Sequence, residues 1–369
     1  MKKLEGEMLD QAVDLYVMKA KNRIRDLYHQ TYGACYLSFS GGKDSTVVLA
    51  LIKLCEEDGS IPKNAIPAVF CNTHIEMDAI ENFVNWVKNN WYENVVIIQP
   101  EKSFSQVLKE YGKPAISKVK SNELYGLSIQ RRNGTVSKYN TFNRLLGVVY
   151  GDNKESYHKI KIANKHLHFL HDDLDMQISD ECCHQLKKLP FEQYAVETEI
   201  EGFFTGERMA EGGARQLMFW NKAKLGSNIC TRIRGDYTIK SPLVDWPDEV
   251  LERFIELYNV PLSIAYTDYG MCRTGCYLCP FAPTLKKDLE ILHIKEPKKY
   301  KGALGFLKDV YIAQGIELDF DPEYMKEFNE RWPKYEKMRY EMLRKYRPDC
   351  RLAKKYEKDH EEELKTPII

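Results

Sequence analysis

The chain of 369 residues lacks any run of 18 apolar residues, so its sequence offers no candidate for a membrane-spanning helix. It also lacks net charge, because 54 Lys and Arg balance 54 Asp and Glu; this removes a global electrostatic argument for binding nucleic acid or an anionic membrane. No internal repeat or low-complexity tract is present, and the first residues lack the apolar core of a secretory signal. We therefore expect a cytoplasmic protein without a membrane partner.

What the chain does contain is apolar side chains and cysteines. Hydrophobic residues make up 43% and aromatic residues 12%, enough for a large buried core in about two modules. Its 10 cysteines should be reduced in a protein that is not secreted, so a group of them indicates metal or redox chemistry. Cys35, Cys55 and Cys71 lie inside apolar runs, and we interpret each as a small buried hydrophobe.

Strand and helix patterns alternate along the first third of the chain, which predicts βαβ units. The fold class is therefore α/β, a Rossmann-like parallel sheet with flanking helices, an N-terminal helix and a helical C-terminal module. The expected division is 1–32, 33–283 and 284–369. For the first helix, 7–30, the predicted apolar positions are Met8, Ala12, Leu15, Met18, Ile24 and Leu27.

The strongest local signal is the segment Ser38-Phe-Ser-Gly-Gly-Lys-Asp-Ser45, which follows a buried-strand pattern and precedes a helix pattern. Glycine lets the backbone turn tightly and approach a ligand. The N-terminus of a helix presents free N–H groups and a positive dipole end, which favours a phosphate, and Lys43 adds a positive charge. An ordinary strand–turn–helix with Asp44 as the cap is the alternative. The segment matches neither the Walker A nor the GxGxxG pattern.

This segment resembles the PP-loop signature of ATP pyrophosphatases, which cleave ATP between the α- and β-phosphates. The resemblance implies that Ser38, Ser40, Gly41, Gly42, Asp44 and Ser45 hold the nucleotide, while Lys43 neutralises its charge. Phe70-Cys-Asn-Thr-His-Ile-Glu76 resembles the strand-end segment that lies beside the nucleotide in that family, which adds Asn72, Thr73 and Glu76. Asn72 stands where the family usually has Asp, and His74 where it has Gly.

A second signal comes from cysteines that lie far apart in the sequence. Cys182 and Cys183 are adjacent, and Cys276 and Cys279 form a CxxC turn. Four thiolates are the usual ligands of a [4Fe–4S] cluster. Tetrahedral zinc is the alternative. With Cys272 the spacing also becomes CxxxCxxC, as in radical S-adenosylmethionine enzymes, but that motif normally comes early in the chain.

The CC…CxxC pattern is similar to that of the phosphoadenosine-phosphosulfate (PAPS) reductase superfamily, and the resemblance covers roughly 34–283. Gly206-Glu-Arg208 with Arg215 resembles its phosphate- or sulfate-binding segment, and Arg273-Thr-Gly-Cys276 resembles the start of its CxxC motif. The C-terminal catalytic-cysteine motif of the reductases is absent, and Cys350 is the one late cysteine. The glycine turn at 40–45 is intact here, whereas the reductases tend to have a degenerate one. Both departures favour ATP use, as in the similar DNA phosphorothioation ATP pyrophosphatases, cluster-dependent tRNA thiolases and phage- or plasmid-borne PAPS-reductase-like proteins.

The resulting hypothesis is an enzyme that cleaves ATP, with Mg²⁺, to AMP and pyrophosphate and uses the cluster in sulfur transfer or sulfur-nucleotide chemistry. Lys43, Asp44 and Arg208 are the catalytic candidates, and Arg208, Arg215 and Arg273 suit an anionic group because guanidinium pairs with phosphate or sulfate. The expected partners are ATP or another adenylyl nucleotide and a sulfur donor such as a cysteine desulfurase. A homo-oligomer or a subunit of a complex is left open.

Two alternatives remain beside that hypothesis. One is a PAPS or adenylyl-sulfate reductase that uses Cys350; the other is a nucleotide-binding regulatory subunit with a structural cluster or zinc. Basic residues interleaved with aromatics at 286–301 and 331–351 are interpreted as solvated helical faces, with a nucleic-acid site as the alternative. The histidine-rich stretch, with His158, His166, His168 and His171, is interpreted as an exposed linker with surface imidazoles.

Overall fold

The structure, a computed structural model, describes residues 6–135, 141–147, 160–226 and 228–361, and describes the side chains of all of these except 213–215. Two compact units emerge. The first comprises Met1–Glu101 and Lys187–Cys276, and the second comprises Lys102–Leu186 and Tyr277–Ile369. This division differs from the expected one, because each unit is assembled from two separate stretches of chain. A helical insertion therefore interrupts the α/β unit in sequence.

The first unit is built on a six-stranded sheet, and the fold class predicted from the sequence is confirmed. The strand order is β3-β2-β1-β4-β6-β5, and every neighbouring pair is parallel except β5 with β6. The chain first builds outward from β1 to β3 and then returns to the other side of β1, so the direction of winding reverses between β1 and β4. The strands are β1 Cys35–Ser38, β2 Ala68–Cys71, β3 Val95–Ile98, β4 Gly202–Phe204, β5 Thr231–Arg234 and β6 Tyr237–Lys240.

Helices flank this sheet, and the first of them packs through a face that differs from the predicted one. The helix Glu7–Gln30 buries the stripe Val13, Val17, Ala20, Ile24 and Leu27, at the three- and four-residue spacing of one helical face. Met8, Leu15 and Met18 were expected in the core, but they are exposed. The other helices of this unit are Lys43–Glu57, Asp78–Asn90, Leu189–Glu197, Gly213–Lys224, Asp248–Leu257 and Ile264–Thr267, with a 3₁₀ turn at Met209–Glu211.

The second unit is helical in its described part. Its helices are Phe104–Tyr111, Lys118–Arg132, Thr141–Leu146, Glu181–Cys183, Leu285–Lys295, Pro297–Ala313, Pro322–Tyr346 and Arg351–Asp359, with a 3₁₀ helix at Asn164–Leu170. A π-helical stretch, His184–Lys188, follows Glu181–Cys183 along the chain. Among the described residues of both units, no helix has the length and apolar character needed to span a bilayer.

The histidine-rich stretch is not an exposed linker, and that interpretation was wrong for two of its members. His166 and His168 lie in the 3₁₀ helix Asn164–Leu170 and are 9% and 0% exposed. His168 Nε2 lies 2.6 Å from the carbonyl oxygen of Ala313, and its ring packs edge-on against Trp332. Because both rings pack within the helical unit, the stretch contributes to its core. His158 lies outside the described residues.

Burial also governs the charge state of these two rings. It lowers the pKa of His166 to about 4 and that of His168 to about 3, because an imidazolium loses its hydration there. The Nδ1 atoms of both rings are buried and have no hydrogen-bond partner among the described residues. The helical core therefore holds two neutral histidines at ordinary pH.

Candidate functional site

The segment Ser40–Ser45 forms a compact turn between the carboxyl end of β1 and the helix Lys43–Glu57. The hydroxyls of Ser40 and Ser45 lie 3.0 Å apart, and Ser45 Oγ donates to the carbonyl oxygen of Gly42 at 2.9 Å. Gly42 N–H donates to Ser40 Oγ at 3.3 Å. The loop is thus held by its own polar groups, in the place that the sequence predicts for a phosphate loop. Open α/β sheets bind ligands at such a reversal of strand order, outside the carboxyl ends of the strands.

The glycines around this turn are required by close approach. Gly41 has a φ of +67°, and a Cβ built there would lie 2.9 Å from Val84 Cγ2. At Gly206, just after β4, a Cβ would lie 2.9 Å from the backbone carbon of Asp44 and from the backbone nitrogen of Ser45. A side chain at either position would displace the loop. Gly206 therefore belongs to the site through packing, which is consistent with the sequence hypothesis.

Two hydroxyl groups from later in the chain contact the same loop. Tyr266 accepts a hydrogen bond at 3.0 Å from the backbone N–H of Lys43, the first residue of the helix. The Tyr266 hydroxyl also lies 2.8 Å from Thr274 Oγ1. A Cβ on Gly42 would meet Thr274 Oγ1 at 3.0 Å and the Tyr266 hydroxyl at 3.3 Å, so this glycine makes room for the pair. Neither residue was predicted from the sequence.

Arg208 links the end of β4 to the start of the helix after the loop. It is 4% exposed, and its Nε donates to Asp44 Oδ1 at 2.6 Å. Its Nη1 donates to Asp248 Oδ1 at 2.8 Å and to the carbonyl oxygen of Trp246 at 3.2 Å. Burial raises the pKa of Asp44, against the opposing charge of Arg208. Arg208 is thereby fixed beside the loop, and its role toward a nucleotide remains a prediction.

The segment after β2 forms a second polar edge of the site. Glu76 is 5% exposed and accepts from both the N–H and the hydroxyl of Thr73, at 3.0 and 2.8 Å. Lys187 Nζ lies 3.4 Å from Glu76 Oε1. His74 has a φ of +61°, a conformation that glycine adopts most easily, and its N–H donates to Asn72 Oδ1 at 2.9 Å. Histidine thus takes the position of the family glycine with its backbone tied down by Asn72.

A cavity of about 580 Å³ lies within the first unit beside these segments. Volumes of roughly 300–1,000 Å³ are typical of small-molecule sites. Ser38, Ser40, Glu76 and Thr274 supply polar groups to its wall. Aromatic rings supply much of the rest, with Tyr36 stacked on Phe191 and on Phe203 at centroid distances of 5.8 and 5.3 Å, respectively. Lys187, Lys188 and Arg234 also line it, so a ligand with a planar apolar part and an anionic part matches this lining.

Cys71 is a further member of the wall that sequence reasoning assigned to packing alone. It ends β2 and is 7% exposed, so the expectation that it is buried is confirmed, as it is for Cys35 and Cys55. Burial, together with the nearby Glu76 and Cys276, raises the pKa of the Cys71 thiol to about 12. Cys71 is therefore a protonated thiol at ordinary pH.

The four predicted cluster ligands are placed as follows. Cys276 ends the first unit, whereas Cys182, Cys183 and Cys279 belong to the second, and all four are half-buried. Among the residues that the structure describes, no group of three or more Cys, His, Asp or Glu side chains is arranged to hold a metal ion. The assignment remains a prediction from sequence spacing.

The remaining candidates lie in different settings. Lys43 is half-buried, with Nζ 3.9 Å from Glu252 Oε1, and Arg273 is exposed. Arg215 falls in the helix Gly213–Lys224, but its side chain lies outside the described residues. Cys350 caps the N-terminus of the helix Arg351–Asp359, because its sulfur accepts from the Ala353 N–H at 3.4 Å. Of these, Lys43 is part of the loop itself.

The fold and the loop define an α/β unit with a glycine-rich turn and a helix N-terminus at the reversal of its strand order. Residues 34–127 match the family profile of the phosphoadenosine phosphosulfate reductase domain. In this stretch the chain is similar to that domain, in agreement with the resemblance of its sequence motifs. No curated protein matches the chain.

Solved structures give distant likenesses. A phosphoadenylyl-sulfate (PAPS) reductase from Candida auris, in complex with phosphate, is 14% identical with a TM-score of 0.39; the match covers 74% of this chain and 96% of that one. The U34-tRNA thiolase NcsA from Methanococcus maripaludis, with its [4Fe–4S] cluster, is also 14% identical, with a TM-score of 0.32 and coverages of 81% and 80%. Because the sequence identities and TM-scores are this low, the ligands in those structures are properties of those proteins and are not assigned to this chain.

Proposed function

We propose that the protein binds ATP with Mg²⁺ at the loop Ser40–Ser45 and cleaves it to AMP and pyrophosphate. The observation that carries the proposal is the intact glycine turn, which joins the carboxyl end of β1 to a helix N-terminus and borders a cavity of about 580 Å³. Helix N–H groups and a lysine are the groups that stabilise phosphate oxygens in proteins. The cavity can take the nucleoside beside the loop.

In the proposed reaction, an oxygen of a second substrate attacks the α-phosphorus of ATP. The bond to the bridging oxygen breaks, pyrophosphate leaves, and the attacking group becomes an adenylate after losing its proton to solvent. AMP is then released when a sulfur nucleophile, or water, displaces it from this adenylate. Lys43 and the N–H groups at the start of the helix Lys43–Glu57 stabilise the charge of the departing pyrophosphate. Arg208 keeps Asp44, and with it the first turn of this helix, in place.

We further propose that the adenylate serves sulfur transfer or sulfur-nucleotide chemistry, with a [4Fe–4S] cluster and a sulfur donor such as a cysteine desulfurase. Support comes from the match of residues 34–127 to a sulfonucleotide reductase domain and from the spacing of Cys182, Cys183, Cys276 and Cys279. A [4Fe–4S] cluster bound by these residues would be able to hold or relay sulfur. No step of the ATP cleavage above depends on it.

A sulfonucleotide in place of ATP is the second candidate, and the same family match favours it. In that case the Cys350 thiol would attack the sulfate sulfur of PAPS or adenylyl sulfate, expel the adenosine phosphate and carry the sulfo group. An external dithiol would then release sulfite from Cys350 and become a disulfide. Sulfite release that is lost in Cys350→Ser would establish this reaction.

The test is product analysis with ATP labelled on the α-phosphate. We expect AMP and pyrophosphate from the wild type and none from Lys43→Ala, with Lys63→Ala as an exposed lysine control. ADP as the product, or equal turnover in Lys43→Ala, would contradict the proposal. Binding of ATP without any product, in the presence of candidate acceptors and sulfur donors, would favour a regulatory subunit.

The cluster is tested separately by anaerobic purification, with iron, acid-labile sulfide and zinc counted per chain. About four irons and four sulfides are expected from a [4Fe–4S] cluster, and Cys182→Ser should lose them. One zinc per chain, or no metal, would overturn the cluster and leave the ATP proposal standing.

A further inference from the structure

A pair of hydroxyl groups joins the phosphate loop to the segment that contains Cys276. Tyr266 accepts from the N–H of Lys43 at 3.0 Å, and its hydroxyl lies 2.8 Å from Thr274 Oγ1. Thr274 precedes Cys276 by two residues. All four residues belong to the first unit. We call Tyr266 and Thr274 the hydroxyl bridge.

The hydrogen-bond directions at this bridge are restricted. The Lys43 N–H can only donate, so the Tyr266 oxygen accepts from it. A tyrosine hydroxyl has one proton, and Thr274 Oγ1, 2.8 Å away, can accept it, although the reverse donation also fits that distance. When Tyr266 donates to Thr274, the Thr274 proton is left to donate to a ligand in the cavity that Thr274 lines. The direction in which the Tyr266 hydroxyl donates therefore determines whether the Thr274 hydroxyl can donate to a ligand.

The bridge also depends on the second glycine of the loop. A Cβ on Gly42 would meet Thr274 Oγ1 at 3.0 Å and the Tyr266 hydroxyl at 3.3 Å. Glycine at position 42 therefore leaves room for the two hydroxyls of the bridge, as well as for a phosphate bound at the loop. The two observations, hydrogen bonds and packing, point to the same contact.

The N–H group that Tyr266 occupies is one of those at the start of the helix Lys43–Glu57. Such N–H groups are the ones that bind an anion at a helix N-terminus. A phosphate oxygen at this position would compete with the Tyr266 hydroxyl or share the N–H with it. Either response moves or reorients Tyr266, and through it Thr274.

We propose that Tyr266 and Thr274 are positioning residues that couple occupancy of the phosphate loop to the 273–276 segment, so that a bound nucleotide changes the exposure of Cys276. The nucleotide-dependent part of this inference rests on the proposed function. The ligand-free part does not, because the bridge holds the two segments together without a nucleotide.

Hydrogen–deuterium exchange of the full chain tests the coupling, with Mg-ATP as the probe. Peptides covering 38–46 report ligand binding, and peptides covering 270–276 report coupling. In the wild type, Mg-ATP should change exchange in both. In Tyr266→Phe the change at 38–46 should persist, whereas the change at 270–276 should disappear. An unchanged response at 270–276 in Tyr266→Phe would overturn the coupling.

The ligand-free protein supplies an arm that is independent of ATP. Tyr266→Phe and Thr274→Val should each speed exchange at 270–276 by about fivefold, the effect of losing one net hydrogen bond. Tyr258→Phe, which removes a hydroxyl from a ring stacked on Phe254, is the control and should leave it unchanged. No acceleration in either bridge variant would overturn the bridge. If Mg-ATP alters exchange in neither peptide of the wild type, the proposed function fails. The ligand-free exchange rates at 270–276 still show whether the hydroxyl bridge exists.

Discussion

The loop Ser40–Ser45 and the histidine pair of the helical unit both contain polar groups shielded from solvent. The groups at the loop are hydrogen-bonded or ion-paired, whereas one ring nitrogen of each histidine has no partner among the described residues. At the loop, the hydroxyls of Ser40 and Ser45 bond to each other and to loop backbone, and Arg208 is paired with two carboxylates. In the helical unit, His166 and His168 are neutral, and their Nδ1 atoms lack partners among the described residues. The first arrangement orients groups around a cavity, whereas the second makes a core sensitive to acid.

The largest expected effect comes from the ion pair of buried Arg208 with partly buried Asp44 beside the loop. Arg208→Ala leaves the Asp44 carboxylate without its partner, and losing a hydrogen bond between charged groups costs about 1.5–3 kcal/mol of unfolding free energy. Arg234→Ala is the matched control, because Arg234 forms an exposed pair with Glu192 at 2.7 Å. That pair should be worth about 1 kcal/mol or less. Urea unfolding of both variants measures the two losses of unfolding free energy. Equal losses would show that the Arg208 pair stabilises the protein no more than an exposed pair does.

The histidine pair should make the helical unit lose stability in acid. The folded-state pKa values of about 4 and about 3 lie below the unfolded value of 6.5, so the unfolded chain takes up protons first as pH falls. Stability is therefore complete above pH 6.5 and declines from there toward pH 3–4. At pH 5 the loss is about 2 kcal/mol for each ring.

Thermal unfolding at pH 7.5 and pH 5 measures this loss. His168→Phe removes one titrating ring and should reduce the pH dependence by about half. His29→Phe, at an exposed position on the helix Glu7–Gln30, should leave the dependence intact. An identical pH profile in His168→Phe and the wild type would show that the buried imidazole is not the acid-sensitive group.

A smaller effect is expected from a methyl group beside the loop. Gly206→Ala places a Cβ 2.9 Å from Asp44 and Ser45 backbone atoms, and overpacking of this kind costs about 1–3 kcal/mol. The substitution should also weaken ATP binding, because it displaces the start of the helix after the loop. Gly126→Ala is the control, since no atom lies within 4 Å of its built Cβ, and it should be neutral or stabilising in its helix. Wild-type ATP affinity in Gly206→Ala would show that the loop tolerates the displacement.

The α/β architecture was predictable because its signals are local. The alternation predicted for the first third of the chain is confirmed, for example by β3 Val95–Ile98 and the helix Phe104–Tyr111 that follows it. The hairpin of β5 and β6 was missed, although Gly235 and Asp236 separate its strands by two residues, a recognised hairpin signal. The helix Lys118–Arg132 was missed because its buried positions, Ser121, Leu124 and Leu127, give a weak apolar pattern.

The candidate site was predictable only in part, for a physical reason. The loop and the end of β2 have their chemistry in contiguous residues, so motifs identify them. Tyr266 and Thr274 reach the loop from more than 220 residues away, as the bond from Lys43 to Tyr266 spans 223 positions. No local pattern encodes such a contact. The burial of His166 and His168 was missed likewise, because the helices that cover them lie far along the chain.

Calorimetric titration of the wild type and Lys43→Ala with Mg-ATP tests the central claim, that the loop Ser40–Ser45 is a nucleotide site. One ATP should bind per wild-type chain. Lys43→Ala should bind it at least about tenfold more weakly, because a charged hydrogen bond to phosphate contributes about 1.5–3 kcal/mol. Equal affinity in the two proteins, or no binding by the wild type, would contradict the claim.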